Sequence, residues 1–288
     1  MRILVIGQEG QLSQSLAEYA TKRTSLDLHA VGRPQIDLEQ PETIADQIGA
    51  YRPDIVINAA AYTAVDKAES EPEKAFAINR DGAAATARAA ASVNAGFVHI
   101  STDYVFDGRK AEPYVEQDAT GPLNVYGRSK LEGELAVLAA HPRALVLRTS
   151  WVFSPFGSNF VKTMLRVGVE RPLLRVVNDQ IGNPTSALDL ASTILGVASL
   201  LRDQPGGLYH LSGTGSTSWY EFADFIFEES RKHGGPSPAL EAIPSSEYKT
   251  PAQRPANSRL NCDAFVARFG ITLRPWREAV SETITRCL

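Results

Sequence analysis

The chain has 288 residues and a formal charge of −4, from 29 Lys and Arg against 33 Asp and Glu. At about 100–200 residues per domain that length allows one large or two modest domains, and a 43% share of hydrophobic residues excludes wholesale disorder. Mild acidity argues against a nucleic-acid binder that works by neutralising phosphates, and no uncharged apolar run approaches the ~18–20 residues that span a membrane.

Residues 3–6 (Ile-Leu-Val-Ile) form a continuous apolar run before Gly7, the pattern of a strand buried on both faces. Leu12, Leu16, Tyr19 and Ala20 recur at helical spacing and predict a helix over 11–23. A strand is expected over 26–31, a helix opening at Pro41 with Ile44 and Ile48 on one face, and a strand over 54–57. Pro72 opens a long Ala-rich helix that runs to about Gly96. Strands over 97–100 and 144–147 flank a helix over 129–140. Such alternation predicts an α/β fold, a Rossmann-type doubly wound parallel sheet with helices on both faces.

Beyond Thr149 the rhythm loosens. Helices are expected over 159–169, 186–201 and 218–233, with 173–177 extended and 208–211 a strand. Residues 234–255 are rich in Pro, Ser and Gly and read as loop, followed by short helices over 263–269 and 276–287. Four apolar residues between Arg2 and Gly7 are too few for a signal-peptide core. Two cysteines, Cys262 and Cys287, make neither a disulfide framework nor a cysteine zinc site. A cytoplasmic protein is expected. The five histidines, at 29, 99, 141, 210 and 233, show no ligand spacing and read as core or surface residues.

Three motifs carry chemistry. Gly7-Gln-Glu-Gly10-Gln-Leu-Ser13 sits between the first strand and first helix, where glycines let a pyrophosphate approach a helix N-terminus. The second strand ends in Val31-Gly32-Arg33, with no adjacent acid for a ribose hydroxyl. Arg33 favours a 2′-phosphate and hence NADPH, with NADH still open, and Asp37-Leu38 can face the adenine instead. Tyr126 and Lys130 lie one helical turn apart, so an ammonium beside the phenol lowers its pKa and makes it a proton donor to a carbonyl under hydride attack. Asn58-Ala59-Ala60-Ala61 and Ser101-Thr102-Asp103 follow the third and fourth strands, at the sheet edge where ligands bind.

With these segments in order, the sequence resembles the extended short-chain dehydrogenase/reductase superfamily and, within it, the dTDP-4-dehydrorhamnose reductase family. The resemblance rests on NAAAYTAVDKAESEPE (58–73), STDYVFD (101–107), PLNVYGRSKLEGEL (122–135), RTSWVFS (148–154), NDQIGNPT (178–185) and RPANSRL (254–260), and covers essentially the whole chain. It implies reduction of the C4 ketone of dTDP-6-deoxy-L-lyxo-4-hexulose by NAD(P)H. Thr102, Tyr126 and Lys130 would be the catalytic triad, with Lys130 also holding the nicotinamide ribose. Gly7, Gly10, Gln11 and Leu12 would meet the pyrophosphate, and Ala61, Tyr62 and Thr63 the cofactor further along. Thr102, Asp103 and Trp151 would bind the sugar, Trp151 as a ring platform, and Asn178, Gln180, Arg254 and Arg259 the dTDP end. An NAD(P)-binding domain of 1–153 with 178–212 and a smaller interleaved α/β sugar-nucleotide domain of 154–177 with 213–288 are expected.

Family members have been associated with Mg2+ at an acid-lined dimer seam. Here Ala187-Leu188 replace the carboxylate expected after the Asn-Pro-Thr segment, and Asp189 points elsewhere on its helix. The sequence thus does not support Mg2+, and a monomer or weak homodimer is expected, with no nucleic acid or membrane partner. Two alternatives stay open: a non-catalytic regulatory subunit like the β subunit of methionine adenosyltransferase, and another extended-family enzyme such as a sugar-nucleotide 4-epimerase.

Overall fold

Six parallel strands form the central sheet of the computed structural model, which describes residues 1–202, 204 and 206–288. The first half of the chain runs β1 (Arg2–Ile6), α1 (Gln11–Thr21), β2 (Asp27–Val31), α2 (Glu42–Tyr51), β3 (Ile55–Asn58), α3 (Val65–Ala68), α4 (Pro72–Phe76), α5 (Ala83–Ser92), β4 (Gly96–Thr102), α6 (Val125–Ala140) and β5 (Leu145–Thr149). It continues through β6 (Val152–Phe153), α7 (Phe160–Glu170), β7 (Leu173–Val177), β8 (Ile181–Gly182), β9 (Thr185–Ser186) and α8 (Ala187–Val197). Last come β10 (Gly207–His210), β11 (Thr217–Ser218), α9 (Trp219–Lys232), β12 (Ala239–Ile243), α10 (Asp263–Phe269) and α11 (Trp276–Cys287).

The sheet order is β10-β5-β4-β3-β1-β2. The chain winds one way from β1 to β2 and the other way from β3 through β5. The reversal opens a crevice beyond the C-terminal ends of β1 and β3, where open α/β sheets bind ligands. The apolar run of β1 explains the two covered faces. Ile3 and Val5 pack under α1 and α8, while Leu4 and Ile6 pack under α2 and α5. A separate apolar core lies outside the sheet, built by Phe153, Val161 and Leu165 with Phe222, Ile226, Trp276 and Val280 from α7, α9 and α11.

The structure departs from the sequence reading in three places. The long Ala-rich helix is not continuous: residues Ala77–Gly82 form a π-helical turn between α4 and α5. Asn79 is the reason, because its buried side chain accepts from Tyr62 N at 2.8 Å and donates to Tyr62 O and to Ser129 Oγ. Helix α6 starts at Val125 rather than Ser129, because the Asn124 side chain caps it by accepting from Gly127 N at 2.7 Å. Residues 234–255 are not all loop, since β12 pairs in parallel with β7.

Helix α6 packs unusually close. A Cβ on Gly127 would stand 2.2 Å from the Tyr104 carbonyl oxygen, and one on Gly133 would stand 2.1 Å from that of Asn79. Both distances are too short for any side chain. Gly133→Ala is expected to cost about 1–3 kcal/mol of stability through this overpacking. A urea midpoint equal to that of the unmodified protein would show that α6 does not need the close approach.

Candidate functional site

The crevice holds two adjoining cavities of about 600 and 410 Å³, which share Glu9, Gly10, Ala59, Ala60, Ala61 and Thr63 in their walls. The larger lies over the glycine turn and reaches out to Arg33, Asp37 and Leu38. Gly7 turns the chain at φ 105°, with its N–H donating to Val31 O at 2.8 Å. Gly10 then caps α1 with no side-chain acceptor on the first-turn amides, and no acid stands in that turn. Ser13 Oγ is buried there without a hydrogen-bond partner. Unspent amides at a helix N-terminus, beside an unpartnered hydroxyl, fit the diphosphate of a dinucleotide.

The other cofactor candidates fall in place with qualifications. Gln11 and Leu12 line the smaller cavity, but the Gln11 side chain is committed, its Oε1 accepting from Asn159 Nδ2 at 2.9 Å. Arg33 is exposed at the outer end of the larger cavity. Asp37 turns inward on its own loop, accepting from Glu39 N, and Leu38 is buried. Tyr62 and Thr63 line the larger cavity, with the Tyr62 backbone fixed by Asn79.

Thr102, Asp103, Tyr126, Lys130 and Trp151 meet in the smaller cavity. The end of β4 supplies Thr102 and the first turns of α6 supply the tyrosine and lysine. Thr102 Oγ1 donates to Asp103 Oδ1 at 3.0 Å and accepts from Tyr104 N. Burial pushes the Asp103 carboxyl up to about 7, against the pull of the Ser258 and Thr102 hydroxyls. Lys130 Nζ donates to Ile100 O at 2.7 Å and stands 3.5 Å from His99 Nε2.

The expectation that Lys130 lowers the Tyr126 pKa is corrected here. Burial dominates and raises the phenol to about 12, opposed by a hydrogen bond from Thr102. Burial also lowers Lys130 to about 8, opposed by the Glu134 carboxylate. The phenol therefore stays protonated at neutral pH, the state a proton donor needs.

Trp151 is less open than a sugar platform would be. Its indole stacks on Trp219 with ring centres 3.5 Å apart, and Gly182 packs against it. Asn178, Gln180, Arg254 and Arg259 line neither cavity. Asn178 accepts from Ser218 Oγ, Gln180 donates to Ser245 Oγ, and Arg259 donates to Asn257 Oδ1 and Ala111 O. Arg254 makes a forked ion pair with Asp66 at 2.8 and 3.0 Å.

Three features of the site went unread in the sequence: Asn79, the Glu134–Arg148 pair behind Ser101, and His99. Asn79 lies just ahead of the alanine run, in residues 76–82 (FAINRDG), and carries no local signal for its long-range bonds. Ser101 lines the smaller cavity and donates to Glu134, which forms a buried two-pronged pair with Arg148 at 2.7 and 2.9 Å. His99 stands against Lys130 from the middle of β4. Among the described residues, no group of three or more His, Cys, Asp or Glu could hold a metal ion. Asp189 is paired with Arg274 at 2.9 Å. Among the described residues, no helix is long and apolar enough to cross a membrane.

Comparison with known proteins bears on this geometry. A family model, the RmlD substrate binding domain, matches residues 1–288. The chain is 48% identical over 288 residues to dTDP-4-dehydrorhamnose reductase of Sinorhizobium fredii (strain NBRC 101917 / NGR234), covering 99% of this chain and 97% of that protein. The crystal structure of a Clostridium acetobutylicum dTDP-4-dehydrorhamnose reductase matches with a TM-score of 0.93 and 36% identity, covering 99% of each chain. That of the Bacillus anthracis reductase, in complex with NADP, matches at 0.92 and 36%, covering 99% of this chain and 98% of that one.

The Asp103 carboxyl gives the site a pH signature. Its folded pKa lies near 7, above the ~3.9 of an unfolded chain, so the fold binds the extra proton between these values and stability falls as pH rises through the window. Asp103→Asn cannot ionise. Its stability relative to the unmodified protein should therefore improve by a few kcal/mol between pH 5 and pH 8, read by urea unfolding at both. A difference that does not change with pH would refute the shift.

Proposed function

This chain belongs to the RmlD family of dTDP-4-dehydrorhamnose reductases, and we propose that its adjoining cavities hold NADPH and the 4-keto sugar nucleotide side by side. The observation that carries this reading is the convergence of Thr102, Tyr126 and Lys130 in the cavity that shares a wall with the glycine-turn cavity. NADPH, bound along the α1 N-terminus, supplies the hydride that adds to C4 of dTDP-6-deoxy-L-lyxo-4-hexulose, forming dTDP-L-rhamnose.

The chain's own groups handle the oxygen. Negative charge develops on O4 as the C–H bond forms. Thr102 donates a hydrogen bond to that oxygen, and Tyr126 gives up its phenolic proton to it. Donors placed in advance at such an oxygen are worth ~3–4 kcal/mol each. Lys130 lies one turn along α6 and would hold the nicotinamide ribose. Solvent then restores the phenol. Gly10 and the first turn of α1 receive the cofactor diphosphate, Ala61–Thr63 line its path, and exposed Arg33 answers a 2′-phosphate.

The residues of the dTDP end belong to this proposal too. Asn178, Gln180, Arg254 and Arg259 would receive the nucleotide, with Arg254 exchanging Asp66 for a diphosphate oxygen. Supporting this, Arg254 and Tyr104 are near enough to interact electrostatically, and the Tyr104 ring meets Tyr126 edge-on at 5.7 Å. The division into a cofactor domain (1–153 with 178–212) and a substrate domain (154–177 with 213–288) draws support from the outer core of α7, α9 and α11, although Phe265 and Leu273 from the substrate part pack into the sheet core and Phe153 from the cofactor part packs into the outer one. A cytoplasmic setting suits the two unpaired cysteines. A monomer or weak homodimer suits an Asp189 committed to Arg274.

The regulatory-subunit and epimerase readings are not favoured, because an intact donor set stands in the cavity and the similar curated protein is a reductase. Turnover with NADPH and the 4-keto sugar nucleotide, followed by cofactor absorbance, tests the proposal. Tyr126→Phe should lower kcat by about 10²–10⁴-fold with NADPH affinity nearly unchanged. Full turnover in that variant would remove Tyr126 as the proton donor.

A further inference from the structure

A buried row of polar side chains runs behind Lys130. Asn58 ends β3 and is paired in register with His99 on β4. The Asn58 amide lies 3.2 Å from His99 Nδ1, and His99 Nε2 lies 3.5 Å from Lys130 Nζ. Asn58 and His99 are each 1% exposed and Lys130 is 2% exposed, so bulk solvent does not reach these contacts.

The row has one consistent direction. An ammonium has donors and no acceptor, so His99 Nε2 must accept from Lys130. The imidazole then carries its proton on Nδ1 and must donate toward Asn58. That needs the carbonyl end of the amide to face Nδ1, an orientation the near-identical shapes of amide oxygen and nitrogen allow. Turned over, Asn58 Oδ1 accepts from Nδ1–H and Nδ2 takes the buried position that Oδ1 holds in the other orientation.

We propose that His99 is a positioning residue for the reduction, fixed by Asn58 as the Nδ1–H tautomer so that Nε2 accepts from Lys130 and holds that side chain as a cation beneath the reacting groups. The proposal rests on the role given above to Lys130. Burial works against a charged lysine here and the Glu134 carboxylate opposes it from a distance, while the acceptors in direct contact with Nζ are Nε2 and the Ile100 carbonyl. The other charges near the row do not replace them. Glu134, one turn along α6, is shared with Arg148 from β5 and with Ser101. Tyr126 and Asp103 face the cavity side of the lysine. Burial also keeps His99 neutral, as an acceptor must be.

The test compares pH profiles of kcat/KM for the unmodified enzyme, His99→Leu and His99→Gln. Leucine fills the space without an acceptor, while glutamine places an amide oxygen near the Nε2 position. The alkaline limb should move toward neutral pH by about one unit in His99→Leu and return most of the way in His99→Gln. Identical profiles for the two variants would overturn the proposal, since a merely space-filling histidine predicts them. Lys130→Met separates the two levels. Undiminished turnover there overturns the reading of Lys130 and this proposal with it, whereas lost turnover with identical His99 profiles overturns this proposal alone. Long-range 15N–1H spectra of the unmodified protein give an answer that needs no variant. An Nδ1–H pattern for His99 is expected, and an Nε2–H pattern overturns the assignment.

Discussion

Backbone-to-backbone contact of α6 with its neighbours is the constraint on which the site depends. Gly127 lies against the Tyr104 carbonyl just beyond β4, and Gly133 lies against the Asn79 carbonyl in the π-helical turn. No side chain separates the helix from these two walls. Tyr126 and Lys130 project from the same stretch of helix, so the contact brings both to the C-terminal edge of the sheet beside Thr102. Asn79 joins the same arrangement from the other side, holding the Tyr62 backbone and Ser129 with one side chain. The cofactor-facing loop after β3 and the helix bearing the donors are thus located by one residue. A π-helical turn at such a point accords with the frequent placement of these turns at functional sites.

Burial sets the electrostatics of the site more than pairing does. It keeps Tyr126 protonated and Asp103 high, and it works against the charge on Lys130. The exception is the Arg148–Glu134 pair, where forked geometry and a third bond from Ser101 satisfy the carboxylate, while Arg148 Nη1 is buried without a partner of its own. Losing either partner would strand a buried charge, a cost of about 3–5 kcal/mol. The net charge of −4 does not prevent binding of anionic ligands. The α1 N-terminus and the exposed Arg33 stand at the larger cavity with a local field of the opposite sign.

Much of this was legible in the sequence. The apolar runs of β1, β3, β4 and β5 were read within a residue or two, because a strand buried on both faces has no other pattern. The glycine turn and the Tyr126–Lys130 spacing fall in the two adjoining cavities, since each depends on local geometry. What escaped were the arrangements made at long range. Asn79 sits in a π-helical turn that interrupts a helix read from the sequence as continuous. Strand β12 forms on β7 in a stretch where Pro, Ser and Gly imply loop. His99 has no spacing partner in the chain and gains its meaning only from Asn58 and Lys130, on two other elements. The fall in the tyrosine pKa expected from its lysine neighbour did not survive the depth of the pocket. Desolvation, which sequence spacing does not reveal, outweighed the pair.

The central claim is that one chamber adds a hydride and a proton across a single sugar C4–O4 bond. NADPH carrying deuterium at both nicotinamide C4 positions tests it most directly when incubated with the 4-keto sugar nucleotide and the protein. One deuterium at sugar C4 of the product, matched by one cofactor oxidised per sugar reduced, is the predicted result. A product without deuterium at C4, or a changed sugar with no net cofactor oxidation, would contradict the account.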